Sequence, residues 1–235
     1  LRRYIKNRLD YVKANNLSLP SPTYAVIERV ELESRSDSEK REEAILDAFI
    51  AEFRASHDFL IVDTPGSDSS LARRALCHAD TLLTPMNDSF IDLDILGQVD
   101  PNSHKVVRPS HYAEVVWEQR KTRAGRGSRP IDWVVMRNRL GTLDSANNRA
   151  METALEDLAN RIGFRLVVGF TERVIFRELF LMGLTLLDLR DVGADIKLRM
   201  SHIAARQEVA QLVNGLNLGA PAGPSDDENT GRTAP

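Results

Sequence analysis

One cysteine, Cys77, stands in a chain of 235 residues. An internal disulfide is therefore impossible, and so is a zinc site built on several cysteines. A single thiol fits a reducing compartment. The five histidines (His57, His78, His104, His111 and His202) show no HxxxH spacing. No apolar run approaches the ~20 residues that span a bilayer. The opening stretch LRRYIKNRLD has no apolar core of a signal peptide. Ser69 and Ser70 lack the G-x-S-x-G elbow of a serine hydrolase. No Gly-Lys pair occurs anywhere, so a Walker A phosphate loop is missing from these residues. The excess of acidic over basic residues is small as well. The net charge is -3, which excludes polyanion binding by bulk charge and leaves only a local basic patch.

What is present is ordinary globular material, 42% apolar and 28% charged. That excludes global disorder and fibrous architectures. The length suits one large domain or two small ones. Arg outnumbers Lys 25 to 6, and Arg suits bidentate contacts to phosphate or carboxylate.

Residues 1–15 place Tyr4, Ile5, Leu9 and Val12 at helical spacing, and LSLPSP then breaks the pattern. Residues 24–32 alternate weakly and read as strand or loop. Ser36 and Glu39 have capping-box spacing, and Ile45, Phe49 and Phe53 share a face of the helix that follows, to about residue 55. Phe59 to Val62, Ala79 to Pro85, Ile131 to Met136 and Phe164 to Phe170 read as strands, the first three as buried ones. Helices are predicted over 69–78, 92–99, 111–123, 146–162, 173–181 and 197–216. Arg120 to Arg129 reads as a mobile basic loop with five basic residues and two glycines. Trp117 and Trp133 read as core, and Cys77 as a small buried hydrophobe. Residues 1–217 are expected to form one domain, and 218–235 a disordered Gly/Pro-rich tail.

Strands alternating with amphipathic helices predict an α/β fold with a mostly parallel sheet flanked by helices. Ligands of such sheets sit beyond the C-terminal ends of the strands. Three segments fall there: Asp63-Thr64-Pro65-Gly66, Pro85-Met86-Asn87-Asp88 and Arg137-Asn138-Arg139. An apolar strand ending in Asp and closing on Gly is a Walker B and switch II arrangement. The Asp accepts hydrogen bonds from the water shell of Mg²⁺, and a Gly backbone N–H approaches a terminal phosphate with no Cβ in the way. A plain Asp turn after a strand has the same pattern. Asn138 carries one donor and one acceptor for an adenine edge, or simply forms a turn. The basic stretch 120–129 binds DNA phosphates or is merely solvated. Arg173 and Arg177 are one helical turn apart and face DNA, or pair with Glu172 and Glu178.

The runs FLIVDTPGSDS, ADTLLTPMNDSFIDLDILGQVDP, WVVMRNRL and GFRLVVGFTERVIFRELFLMGLTLLDL closely resemble the MipZ family. These are division-plane-positioning ATPases of alphaproteobacteria, related to ParA and MinD. DTPG is shared across that superfamily, whereas TPMNDSF and FRELF-x-x-GLTLLDL are specific to the family. The resemblance covers roughly residues 1–217. It implies a deviant-Walker P-loop NTPase fold that uses ATP and Mg²⁺ and dimerises around the nucleotide. It implies non-specific DNA binding, recruitment by ParB and inhibition of FtsZ assembly, in the bacterial cytoplasm at the nucleoid. Carried onto this sequence, Asp63 is the Walker B Asp that holds Mg²⁺ through water. Thr64, Pro65 and Gly66 are switch II, with Asp63 and Gly66 the catalytic positions. Asn138 is the base-contacting Asn. Asn87 and Asp88 border nucleotide and dimer interface. Arg173 and Arg177 carry the DNA contacts, joined by Arg120, Arg123 and Arg126 of the basic stretch. The departure is the first strand, phosphate loop, helix and second strand of that fold. The expectation is a chain truncated at its N-terminus that binds ATP poorly and does not hydrolyse it alone.

Overall fold

The computed structural model describes residues 1–100, 106–141, 146–192 and 200–219. The tail expected over 218–235 lies almost wholly outside the described residues. In chain order the elements are α1 (Arg2–Ala14), α2 (Arg35–Arg54), α3 (Ser70–His78), β1 (Thr81–Asn87), α4 (Phe90–Leu93), β2 (Gly97–Val99), β3 (Val106–Pro109), α5 (His111–Gly125), β4 (Asp132–Asn138), α6 (Ala146–Ile162), β5 (Arg165–Val167), α7 (Val174–Met182), a 3-10 turn (Asp188–Arg190) and α8 (Met200–Gly215).

The fold is α/β. Its main sheet is parallel, in the order β1-β4-β5, flanked by helices. β4 is central, and Ile131 and Trp133 to Met136 are all buried, as a strand covered on both faces requires. β1 pairs with β4 over seven residues, Thr81 opposite Asp132 through Asn87 opposite Asn138. Pro85 sits in β1, which is an edge strand among the described residues, and an edge tolerates a residue with no N–H.

Trp133 and Val135 of β4 point into one core cluster with Met86, Val116 of α5, Leu155 and Leu158 of α6, and Phe164. The Trp133 indole N–H donates to Thr84 Oγ1 at 3.1 Å, and that hydroxyl shares a 2.8 Å hydrogen bond with Tyr112. A second cluster joins α7, residues 184–189 and Ala205 of α8, with Tyr11 of α1 packed against it. A third joins Leu46 and Ile50 of α2 to Ala75 of α3.

Several expectations are corrected. Phe59 to Val62 forms no strand and pairs with no described strand. Its side chains are exposed, Ile61 at 81%. An apolar run announces the capacity to be buried, but a strand also needs a neighbour for its backbone groups. Residues 92–99 are not one helix: α4 stops at Leu93, and Gly97–Val99 pairs antiparallel with β3. Residues 120–125 belong to α5, so the basic stretch is half helix. The fourth strand shortens to Arg165–Val167. α2 starts from Ser34 as N-cap, not through a Ser36–Glu39 box, and buries Leu46 and Ile50 ahead of Ile45, Phe49 and Phe53. Trp117 is not core. It is 53% exposed, and its ring lies 3.7 Å from the Lys121 ammonium. Cys77 is half-buried, its thiol donating to Gln119 Oε1 at 2.9 Å.

Candidate functional site

The parallel register carries β1 and β4 to a common C-terminal edge, where Asn87 lies opposite Asn138. Around this pair the chain is tied in three places. Arg137 Nε donates to Asp88 Oδ1 at 2.9 Å, and Nη2 of the same guanidinium reaches the same oxygen. The pair is shielded from water, with Asp88 only 9% exposed, so the exit of β1 is locked to the end of β4. Asn87 N–H donates to Asp92 Oδ2 at 2.8 Å, which folds the following turn back onto the strand. Beyond β5, Phe170 N–H donates to Arg137 O at 3.0 Å and Leu140 N–H donates to Phe170 O at 2.9 Å. Gly169 makes that approach possible: a Cβ there would stand 1.7 Å from Arg137 O.

Asn138 presents its side chain at this edge. Its Oδ1 accepts the Arg139 N–H at 3.0 Å, leaving a lone pair and both amide hydrogens for a ligand. Arg139 has φ of 55°, the left-handed region that a non-glycine residue seldom occupies. The structure therefore brings together Asn87, Asp88 and Asn138. In sequence Arg137 is only one member of the segment that ends the strand; its role emerges once the register sets it beside Asp88.

Asp63, Thr64, Pro65 and Gly66 lie in an exposed segment that no hydrogen bond or ion pair among the described residues joins to that cluster. Asp63 Oδ2 accepts from the Leu1 amine at 3.2 Å. Gly66 has open space where a Cβ would be. The segment is anchored just downstream. Asp68 takes Nε and Nη2 of Arg73 at 2.8 and 2.7 Å, and His111 Nε2 at 2.9 Å. These partners, Arg73 foremost, hold the Asp68 carboxyl well below the usual carboxylate range.

The arginines divide sharply. Arg123 is buried and donates to Ala79 O at 2.6 Å and Arg129 O at 2.6 Å, with Asp80 as ion-pair partner. Arg120 donates to Ile131 O at 3.1 Å and Gly163 O at 2.7 Å. Both clasp α5 to neighbouring loops, while Arg126 is exposed at the end of the helix. Arg173 is the N-cap of α7 and turns to Glu208 of α8, 2.7 Å from Nη2. Arg177 is 70% exposed, with Glu172 at 4.0 Å. Arg173 and Arg177 therefore do not share an open helix face.

The sequence model of one family, described as ATPase MipZ, matches residues 1–220. The chain belongs to the MipZ family of ATPases. No curated protein matches it closely. At family level a MipZ chain is a ParA-like ATPase involved in positioning cell division, and that activity implies nucleotide binding with Mg²⁺. At the sheet edge of this MipZ-family chain, Asn138 keeps an amide donor and a carbonyl lone pair that a planar ring edge could pair with. The phosphate end does not fit these residues. No Gly-Lys pair supplies a cradle or a neutralising ammonium. Among the described residues no three His, Cys, Asp or Glu side chains converge on a metal position. No described helix is long and apolar enough to cross a membrane.

Proposed function

We propose that these residues form the base-reading and dimer-facing part of an ATP-dependent dimerisation switch that positions the division plane. The observation that carries this reading is the MipZ family match, joined to the sheet edge where Asn87, Asp88 and Asn138 converge. In this reading Asn138 contacts adenine, and Asn87 and Asp88 border the nucleotide and a second protomer. Asp63 would hold Mg²⁺ through water and Thr64 to Gly66 would border the terminal phosphate once a phosphate loop completes the site. FtsZ is the inhibited partner and ParB the recruiting one, with the dimer held at the nucleoid by sequence-independent DNA contacts. Arg177 and Arg126 are the open cations among the proposed DNA residues. Arg173 needs release from Glu208 before it can join them, and Arg120 and Arg123 act within the fold.

A second reading draws on the missing Gly-Lys pair: a nucleotide-independent module that binds ParB or DNA. Sedimentation equilibrium of the protein as its source cell makes it, with and without ATP and Mg²⁺, separates the two. A dimer that forms only with ATP, and is weakened by Asn138→Ala, supports the switch. A monomer indifferent to ATP that still binds ParB supports the module.

A further inference from the structure

We propose that the outward face of α1 is a second polyanion-binding surface, continuous with Arg177 of α7, which takes the phosphate backbone of duplex DNA. This rests on the DNA reading above and extends it to a helix not included there. α1 carries Arg2, Arg3, Lys6, Arg8 and Lys13 against a single acid, Asp10, in a chain whose net charge is -3. Arg8 turns inward to Asp188. Arg2, Lys6 and Lys13 stand at i, i+4 and i+11, one stripe along the helix, of which Arg2 pairs at the surface with Glu28 at 2.8 Å. Arg3 sits one position round, its guanidinium 6.0 Å from the centre of the Phe180 ring of α7. Asn7 Nδ2 donates to Phe180 O at 3.0 Å, which fastens the two helices side by side. Among the described residues, no carboxylate forms an ion pair with Arg3, Lys6 or Lys13, and all three are exposed.

The spacing chooses the ligand. Arg2 to Lys13 spans roughly 16 Å of helix axis. Cations strung out over that length do not converge on one small anion, but duplex DNA offers a charge about every 1.7 Å. An anionic membrane fits less well. A helix that lies in a lipid surface buries its apolar face there. The apolar side of α1 is already spent on the protein, with Ile5 buried and Tyr11 packed on the α7–α8 cluster. Leu9 is the one apolar residue left in the stripe, at 44% exposure.

The test is fluorescence anisotropy with a labelled duplex of mixed sequence, between about 50 and 200 mM salt, on the full chain. Arg3→Ala, Lys6→Ala and Lys13→Ala together should lower the slope of log affinity against log salt by about 2 to 3. The Lys6→Arg, Lys13→Arg variant should bind like the parent. Circular dichroism checks that helicity is kept; if the triple variant loses it, Lys6→Glu and Lys13→Glu taken singly give the same readout. An unchanged slope in the α1 variants, with binding weakened by Arg177→Ala, overturns the α1 surface and leaves the DNA reading standing. A parent chain that shows no salt-dependent duplex binding overturns both. Loss of binding to phosphatidylglycerol vesicles, with duplex binding intact, assigns the face to lipid and also overturns the inference.

Discussion

Arg8 and Asp188 are 180 positions apart in sequence and meet in the interior, Nη1 to Oδ2 and Nη2 to Oδ1 both at 2.8 Å. The guanidinium also donates to Gly183 O and Pro20 O, and Asp188 accepts the backbone N–H and hydroxyl of Thr185. Every charged atom is thus satisfied, the condition for such a pair to survive burial. Burial pushes the Asp188 carboxyl up, but Arg8 and Thr185 together outweigh it and bring it to about 2, below the ordinary 3.8. A carboxyl lowered on folding stabilises above its unfolded value and loses that contribution as pH falls through the folded one. Thermal unfolding of the parent and of Asp188→Asn should therefore differ most above about pH 4, and the gap should close towards pH 2. Arg8→Ala leaves the carboxylate buried without its partner and should cost about 3–5 kcal/mol in denaturant unfolding. An equal gap at pH 2 and pH 7 would refute the assignment. The sequence showed Arg8 only as one cation among five on α1; its inward turn depends on which side of the helix meets α7.

At the scale of elements, the sheet edge depends on the close approach of two backbones. Gly169 admits Arg137 O, and the bridge from Leu140 to Thr171 continues the alignment past the end of β5. Gly169→Ala must push these apart, and with them the turn that presents Asn138. A loss of about 3 kcal/mol in urea unfolding is expected. Gly125→Ala, which meets open space, should stay within about 0.5 kcal/mol. Helix periodicity was legible: α1, α2, α3, α5, α6, α7 and α8 fall within a few residues of their predicted spans. Strands β1 and β4 were legible as apolar runs between turn residues. The β2–β3 hairpin was not, because three- and four-residue strands carry too few residues to show a period.

At the scale of the molecule, α1 closes the second core cluster from the far end of the chain. Tyr4 packs at a tilt against Phe180, ring centres 6.1 Å apart, and Tyr11 covers the cluster that Ile175, Leu179 and Ala205 begin. Deleting residues 1–16 should uncover this apolar surface. The expected result is a rise in ANS fluorescence and a lower melting temperature, with the Trp133 environment, part of the other cluster, little altered in near-UV circular dichroism. Loss of the Trp133 signal as well would mean that the two clusters fold as one unit.

Composition and pattern determined the α/β class, the parallel sheet and the residues at the strand ends, because periodicity and short motifs are local properties of a chain. Tertiary structure decided which of those residues meet. Asn87, Asp88 and Asn138 share an edge because β1 and β4 pair in one register, and Arg137 belongs with them for the same reason. It also decided which arginines remain available. Arg120, Arg123 and Arg173 look like Arg177 in sequence, yet three of them satisfy carbonyls and carboxylates within the fold and one faces water. Charge is written in the sequence, but its partner is fixed only by packing between residues far apart along the chain.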